Sequence, residues 1–261
     1  MTVSTQAQKA AAFRALHAGE PFLIPNPWDA GSARVLQALG FRALATTSSG
    51  FAFTLGRPDG AVTLAEVVEH VRVIASATTI PLSVDLENGY GDVAEAIAAV
   101  AQAGAVGGSI EDWDAREGLY PVAQAAERVA ASARAARALD CDFVLTARAE
   151  NFIRGNPDLF DTIARLQAYE EAGADVLYAP GLRRAEEVQA VCAAVARPVN
   201  VLAHAGLNLA DVFAAGAQRV SVGGALTWVA AEAMADAAQR LAGGDLTGLR
   251  SGRRVAGWLG E

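Results

Sequence analysis

The hydrophobic positions of this 261-residue chain alternate between short apolar runs and longer segments with helical periodicity. The segment 63–77, for example, places Leu64, Val67, Val71 and Ile74 on one helical face. Short runs rich in β-branched residues, typical of buried strands, lie between such segments. The pattern predicts eight strands, at 21–26, 42–49, 80–86, 106–111, 141–148, 175–180, 198–203 and 218–223.

Each predicted strand is followed by a predicted helix, and no polar linker separates the eight units. Several helices end in Ala-Gly-Ala, which is typical of a glycine-capped helix leading into a buried strand. Eight successive units predict a (β/α)8 barrel formed by one domain over residues 1–261, with an N-terminal helix and a short C-terminal tail. An open, doubly wound sheet is the alternative, although the dinucleotide-binding fingerprint is absent after the first strand.

Composition and charge exclude several classes of function. The net charge is −8 and no basic patch recurs, so nucleic acid is not an expected partner. The N-terminal segment lacks an apolar signal-peptide core and no charge-free apolar stretch could span a membrane, so we expect a cytoplasmic protein. The single lysine, Lys9, precedes the first strand, which argues against Schiff-base chemistry.

Polar and charged residues recur where the predicted strands end, which is where barrel enzymes place their chemistry. In strand order these residues are Asn26, Trp28 and Asp29; Thr46, Thr47, Ser48, Ser49 and Gly50, with Asp59 in the following loop; Asp85 and Glu87; Glu111 and Asp112; Arg148, Glu150 and Asn151; Tyr178; Asn200 and His204; and Gly223 and Gly224.

The carboxylates in this set predict a metal site. Asp85 and Glu87 are two residues apart, so in extended conformation they would point to the same face. Together with Asp59 and Glu111 they concentrate negative charge around one fixed cation, Arg148, which a divalent ion would neutralise. Oxygen ligands favour Mg²⁺ or Mn²⁺ over zinc. The competing interpretation is that these acids are solvated loop residues.

Other residues allow two interpretations each. The run Thr47, Ser48, Ser49 and Gly50 could hold a carboxylate through N–H groups and hydroxyls, or form an ordinary turn. His204 could be a ligand or a structural residue. The remaining histidines, His17 and His70, lie on predicted helices and are expected at the surface.

Four motifs, "TTSSGFAFTLGRPDG", "SVDLENGYGD", "GGSIED" and "LTARAE", resemble in order and spacing the isocitrate lyase / phosphoenolpyruvate mutase superfamily. The resemblance implies a barrel that assembles as a homodimer or homotetramer, with the eighth helix exchanged between subunits. It implies Mg²⁺ held through Asp85 and Glu87, largely by water, with Glu111 assisting. It also implies a 2-oxo acid whose carboxylate meets Thr47–Gly50 and Arg148, with Asp59 beside it.

The chain departs from the superfamily in the loop after the fourth strand. Lyases carry a Lys-Lys/Arg-Cys-Gly-His pattern there, whereas this chain reads "WDAREGLYP". The cysteine that protonates the product enolate is therefore missing, and so are the lysine and asparagine of the mutases.

The retained residues predict a Mg²⁺-dependent lyase or decarboxylase that breaks a C–C bond in a small 2-oxo or 2-hydroxy carboxylic acid through a metal-stabilised enolate. The predicted catalytic residues are Asp59, Glu111 and Arg148, and the predicted substrate-binding residues are Trp28, Thr47, Ser48, Ser49, Gly50, Arg148, Asn200 and His204. Two alternatives stay open. One is P–C chemistry of the phosphonopyruvate mutase or hydrolase type, and the other is a non-catalytic protein that binds 2-oxo acids.

Overall fold

A computed structural model describes residues 4–249 and 252–259. Eight parallel strands form one sheet, and their order is β1, β8, β7, β6, β5, β4, β3, β2. The strands are β1 (Phe22–Ile24), β2 (Leu44–Ala45), β3 (Leu82–Asp85), β4 (Gly107–Glu111), β5 (Val144–Arg148), β6 (Val176–Tyr178), β7 (Val199–Leu202) and β8 (Arg219–Ser221).

Helices follow the strands on the outside of the sheet. They are α1 (Gln6–Ala18), α2 (Ala30–Ala38), α3 (Ser48–Thr54), α4 (Leu64–Ala77), α5 (Val93–Gln102), α6 (Val122–Arg137), α7 (Leu159–Glu171), α8 (Ala185–Ala194), α9 (Leu209–Ala214), α10 (Ala225–Ala242) and α11 (Arg253–Leu259). The glycines of two Ala-Gly-Ala repeats, Gly104 and Gly173, have φ of 107° and 101°, as expected after a helix C-terminus.

The two edge strands meet and close the sheet. Ala45 N in β2 donates to Pro25 O, which directly follows β1, at 3.2 Å. The side chain of Asn26 reinforces the seam, because its Nδ2 donates to Thr46 O while its Oδ1 accepts from Val222 N and Gly223 N beyond β8. The (β/α)8 barrel predicted from the sequence is therefore confirmed.

Strand two is much shorter than the prediction of 42–49. It ends at Ala45, and Ser48 begins the short helix α3. Thr47 is the N-cap of this helix, with its side chain accepting a hydrogen bond from Gly50 N. A Thr-Ser-Ser sequence has strand-compatible residues, but the capping bond that its hydroxyls offer decided the conformation here.

The first helix covers the end of the barrel where the strands begin. Phe13 is fully buried there against residues that start the strands, including Phe22, Val106 and Val144. Gly107 lacks a side chain because a Cβ at that position would lie 2.7 Å from Phe13 Cε1. This plug makes the opposite end, where the strands finish, the open mouth of the barrel.

The expectation that His17 and His70 lie at the surface is wrong. His17 on α1 is only 9% exposed and makes edge contacts with Phe13 and Phe22. His70 is half-buried and stacks on Phe51, with 3.8 Å between the ring centroids. Both helices bury their histidine because its ring packs as an aromatic group.

Helix α10 contributes little to the core. Of its 18 residues only Thr227 is buried, while Trp228, Val229 and Met234 are between 48% and 66% exposed. Among the described residues, no helix is long and apolar enough to cross a membrane.

The burial of His17 predicts a pH dependence of stability. Burial first, and the nearby Arg219 second, lower its pKa from 6.5 to about 3. The unfolded chain therefore binds more protons than the folded chain between these values, and stability falls as the pH falls through this window. We expect His17 to account for a loss of up to about 3 kcal/mol between pH 7 and 4.

The measurement is urea unfolding of wild type and His17→Gln across that range. The variant is expected to show a shallower decline, and the matched control His204→Gln, at an exposed position, is expected to follow wild type. Parallel curves for wild type and His17→Gln would contradict the assignment.

Candidate active site

A cavity of about 150 Å³ opens at the mouth of the barrel. It is small compared with sites for drug-sized ligands, which occupy about 300–1,000 Å³. Of the twelve residues predicted as catalytic, substrate-binding or metal-holding, seven line it: Thr47, Ser48, Ser49, Asp59, Asp85, Arg148 and Asn200. Five others lie near the mouth or outside it without lining the cavity: Trp28, Gly50, Glu87, Glu111 and His204.

Arg148 at the end of β5 is the central cation of this mouth. Its Nη1 lies 2.8 Å from Asp85 Oδ1, and its Nη2 lies 3.0 Å from both Glu111 Oε2 and Glu150 Oε1. Glu111 ends β4, which pairs with β5, and Asp85 ends β3, the next strand along, so one guanidinium joins the ends of three adjacent strands. Its side chain is 13% exposed, and the position of the group is therefore fixed from several directions.

Charge around Arg148 is not balanced. Burial acts to lower the pKa of Arg148, but Glu150, Asp85 and Glu111 outweigh it and raise that pKa well above the usual range. Burial raises the pKa of Glu111, despite Arg148, and the carboxylates of Glu150 and Asp85 add to the rise. The mouth therefore holds more negative charge than its arginines neutralise.

The two carboxylates that open the "DLENGYGD" motif do not share one face of a strand, as the extended spacing predicted. Strand β3 ends at Asp85, and Glu87 has a left-handed backbone with φ of 47°. Asp85 faces the cavity and Arg148, whereas Glu87 Oε1 accepts a hydrogen bond from Tyr90 Oη at 3.1 Å. The chain turns sharply after the strand, and this turn overrides the two-residue alternation.

Glu87 is nevertheless affected by its acidic neighbours. Burial raises its pKa to about 7, and the charges of Asp85 and Asp59 contribute in the same direction. Across residues 4–249 and 252–259, however, no three His, Cys, Asp or Glu side chains converge as a preformed metal-binding group. The predicted trio Asp85, Glu87 and Glu111 is therefore not brought together as one ligand set.

The Thr47–Gly50 segment is the first turn of α3. Ser48 N donates to Asp85 Oδ2 at 3.3 Å, and Gly50 N donates to Thr47 Oγ1. Two N–H groups of the expected anion cup are thus already used within the protein. The hydroxyl of Ser49 lies 3.1 Å from that of Thr47, and both residues line the cavity.

Three of the predicted residues make contacts that are explained by the fold: Gly50, Trp28 and His204. A Cβ on Gly50 would lie 2.6 Å from Thr227 Oγ1, so glycine allows α3 to pack against α10. Trp28 accepts a hydrogen bond at its backbone oxygen from His70 Nε2. His204 is exposed, and its Nδ1 accepts a hydrogen bond from Gly206 N.

Several cavity residues were not singled out from the sequence. They are Ser83 and Ser109, one layer below the strand-end acids Asp85 and Glu111, and Arg219 and Ser221 on β8. A signal was present: "SVD", "SIE" and "TAR" each place a hydroxyl residue two positions before a charged residue at the strand end. Bulky aliphatic residues usually fill this layer of a barrel, so repeated Ser and Thr indicate a polar interior.

Comparisons with known proteins identify the family of this chain. The family model described as phosphoenolpyruvate phosphomutase matches residues 13–242. The chain belongs to the phosphoenolpyruvate mutase family. It is 34% identical over 235 residues to an uncharacterized protein of Mycobacterium tuberculosis, with 88% of each chain covered. It is 30% identical over 263 residues to an oxaloacetate decarboxylase of Bradyrhizobium sp. BTAi1, which covers 93% of this chain and 90% of the relative.

Solved structures extend the comparison. A Burkholderia cenocepacia J2315 protein, provisionally named a lyase/mutase, superposes with a TM-score of 0.95 and is 49% identical, with 98% of both chains covered. An oxaloacetate acetylhydrolase in complex with oxalate gives a TM-score of 0.89 at 27% identity, covering 98% of this chain and 95% of the other. A phosphonopyruvate hydrolase with oxalate and Mg²⁺ gives 0.85 at 25% identity, covering 97% and 95%.

In this family member the loop after β4 forms a small hairpin in which Trp113–Asp114 pairs with Gly118–Leu119, which the sequence pattern did not predict. Asn88 Nδ2 donates to Asp114 Oδ2 at 2.7 Å, and the guanidinium of Arg154 lies 3.5 Å above the Trp113 ring. The segment without the lyase residues is therefore tied to both neighbouring loops.

A buried network supports Arg148 from below the mouth. Asp112 accepts hydrogen bonds from Tyr169 Oη at 2.5 Å and from Arg165 Nη1 at 3.0 Å. Its other oxygen accepts from Glu150 N at 2.8 Å, and Glu150 in turn accepts from Arg148 Nε. Asp112 thus positions Glu150, and Glu150 in turn orients Arg148.

The burial of Glu87, together with the nearby carboxylate of Asp85, predicts that Glu87 lowers the stability of the folded state when it is ionised. Its pKa is higher in the folded than in the unfolded state, so this cost grows as the pH rises from about 4.5 and is complete above about 7. At pH 8 with EDTA we expect Glu87→Gln to be more stable than wild type by about 1–2 kcal/mol, a difference that shrinks towards pH 5.

Thermal and urea unfolding measure the difference, and the exposed Glu95→Gln is the matched control because it removes the same charge away from the cluster. The glutamine keeps an oxygen for Tyr90 Oη. A variant no more stable than wild type at pH 8 would show that ionised Glu87 does not destabilise the folded state.

Proposed function

We propose that this protein is a Mg²⁺-dependent lyase or decarboxylase that breaks a C–C bond in a small 2-oxo or 2-hydroxy carboxylic acid. The observation that carries the proposal is the meeting of Asp85, Arg148 and the hydroxyls of Thr47 and Ser49 around one small cavity at the strand ends. Family membership supports it, since relatives include oxaloacetate decarboxylase and 2-methylisocitrate lyase.

The donor set fits a hard divalent cation. The mouth offers carboxylate and hydroxyl oxygens, and the pKa of Glu87 is raised by burial first and by the nearby charges of Asp85 and Asp59 second. Because the three carboxylates do not converge on one point, Asp85 and Glu87 would hold the ion largely through water, with Glu111 assisting. When bound, the cation supplies positive charge that stabilises an enolate, whether this arises by loss of CO₂ or by retro-aldol cleavage.

The protein's own groups would bind and orient the acid. Arg148 is held rigidly by three carboxylates, so its orientation is set before a ligand arrives and little is lost in ordering it. The hydroxyls of Thr47, Ser48 and Ser49 would donate to the substrate carboxylate. Asp59, which is exposed and lines the cavity, would lie beside the substrate at the solvent side.

The hairpin lacks the residue that protonates the product in the lyases. Residues 113–119 contain no lysine, cysteine or histidine, so the thiol acid of the lyases has no counterpart there. Bond cleavage itself does not need that acid, and release of an enolate that is protonated by water is compatible with this loop.

A substrate screen tests the proposal directly. Oxaloacetate, 2-oxoglutarate, substituted malates and phosphonopyruvate would be incubated with enzyme and Mg²⁺, and pyruvate, CO₂ and phosphate measured. We expect a carboxylic acid to be consumed without phosphate release. Phosphate from phosphonopyruvate would instead favour the P–C alternative, and no turnover of any acid despite binding would favour a binding protein.

The metal site gives a sharper prediction. Calorimetric titration of 2-oxoglutarate is expected to show binding with Mg²⁺ and at least about tenfold weaker binding in EDTA, because the carboxylates otherwise repel the anion. Asp85→Ala should abolish the Mg²⁺ dependence, while Glu87→Asp should reduce affinity less because a carboxylate remains.

The control for this titration is Asp92→Ala, which removes an exposed acid that caps α5 away from the cavity. Equal affinity of wild type with Mg²⁺ and with excess EDTA would contradict the metal assignment. Asp85 would then be explained by its ion pair with Arg148 alone.

The exposed face of α10 leads us to propose that subunits exchange this helix in a homodimer or homotetramer. Trp228, Val229 and Met234 would be buried against a neighbouring chain, where their apolar area stabilises the assembly. Light scattering is expected to give the mass of a dimer or tetramer. Val229→Glu should shift the distribution to smaller species, whereas Glu232→Gln on the same helix should not; a stable wild-type monomer would refute the exchange.

A further inference from the structure

A second arginine faces the cavity from below, and its surroundings differ from those of Arg148. Arg219 starts β8, is 5% exposed and lines the cavity. Among the described residues, no carboxylate lies within ion-pair distance of it; its hydrogen-bond partners are Asn200 Oδ1 at 2.8 Å, Thr146 Oγ1 at 3.1 Å and His17 Nε2 at 3.1 Å.

All three partners are neutral. The tautomer of His17 follows from its contacts: Nδ1 lies 2.9 Å from Phe13 O, a carbonyl that can only accept, so Nδ1 carries the proton and Nε2 accepts from Arg219. Burial lowers the pKa of His17 to about 3, which keeps the ring uncharged at neutral pH. The guanidinium is thus a buried cation without a protein counter-ion, which is costly unless an anion compensates it.

Arg219 also has N–H donors that are not used by its protein partners. A guanidinium has five N–H groups, and three of them are used by Asn200, Thr146 and His17. Two N–H groups remain in a site surrounded by the hydroxyl residues Tyr178 and Ser221, which line the same cavity. A carboxylate supplies the two acceptors and the negative charge that this group lacks.

The position of Arg219 suits the far end of a short diacid. Its partner Thr146 is two residues before Arg148 on β5, which corresponds to about 6.6 Å along a parallel strand. Arg219 therefore lies one inward-facing layer below the predicted site of the 2-oxo carboxylate, at the floor of a cavity of about 150 Å³. That separation and volume match a four- or five-carbon chain with a carboxylate at each end.

We propose that Arg219 forms an anion subsite at the floor of the cavity and selects 2-oxo diacids by binding their distal carboxylate. This inference rests on the proposed function, since it assigns the other end of the same substrate. The subsite is built from Arg219 with Asn200 and Ser221, which hold one another through Arg219 Nε to Asn200 Oδ1 and Asn200 Nδ2 to Ser221 Oγ at 3.0 Å.

The test compares acids that differ only in the distal group. Calorimetric titration in Mg²⁺ would compare 2-oxoglutarate with 2-oxopentanoate, and competition would compare oxaloacetate with 2-oxobutanoate. In wild type we expect at least one diacid to bind about tenfold or more tightly than its monoacid. In Arg219→Met the preference should fall to within about twofold. The diacid loses its contact with the guanidinium, whereas the monoacid makes no such contact and should bind with nearly unchanged affinity.

Two further variants separate recognition from structure. Ser221→Asp places a carboxylate beside Arg219 on the same strand face, and it should remove the diacid preference while the barrel stays folded. If Arg219→Met does not fold, Ser221→Asp still tests the anion subsite. Arg14→Met removes a half-buried arginine that is already paired with Asp142 and Asp175, and this variant should keep the diacid preference.

Monoacid binding with no diacid preference in wild type would overturn the subsite and leave the proposed function standing. A preference that persists in both Arg219→Met and Ser221→Asp would also overturn it. Failure of every acid to bind in Mg²⁺ would overturn the proposed function together with the subsite.

Discussion

The ion-pair cluster around Arg148 is the interaction on which the mouth of the barrel depends. Its guanidinium joins Asp85, Glu111 and Glu150, and so fixes the ends of three adjacent strands relative to one another. Such a cluster is costly to bury, and removing Arg148 would leave three carboxylates without their shared cation. The arrangement is better explained by a rigid site for an anionic ligand and a cation than by a contribution to stability.

Support for Arg148 reaches well into the wall of the barrel. Asp112, Arg165 and Tyr169 bond one another between β4 and α7, and Asp112 holds the backbone of Glu150. Because these residues are buried, their geometry is set by packing and does not depend on ligand. A mouth assembled in this way can accept loop variation, such as the hairpin at 113–119, without losing the central cation.

The two arginines of the cavity illustrate opposite ways of burying a guanidinium. Arg148 has an excess of carboxylates, and its charge is more than matched by the protein. Arg219 has only neutral partners, and burial lowers its pKa to about 10. One end of the cavity is therefore short of positive charge and the other short of negative charge, a polarity that a cation and a diacid together would complete.

Much of the fold could be predicted from the sequence, because the eight strand–helix alternations and the helix-ending glycines are local signals. Placement of acids, Arg148 and hydroxyl residues at the strand ends followed from the same pattern. The resemblance of four motifs supplied the family, which the comparisons confirmed. What local patterns could not supply was the turn at Glu87, the helix begun by Thr47 and the burial of His17.

The burial of His17 was decided by contacts between residues far apart in the chain. His17 is buried because α1 plugs the strand beginnings, and its ring meets Arg219, which lies 202 positions away. In the sequence, Arg219 is not distinguished from other strand residues. Only closure of the barrel places it at the cavity beside Asn200 and Thr146. The sequence determined which chemical groups each strand carries; closure of the sheet determined which of them share a cavity and which charges are left without a partner, because burial and pairing arise only when distant strands are brought together.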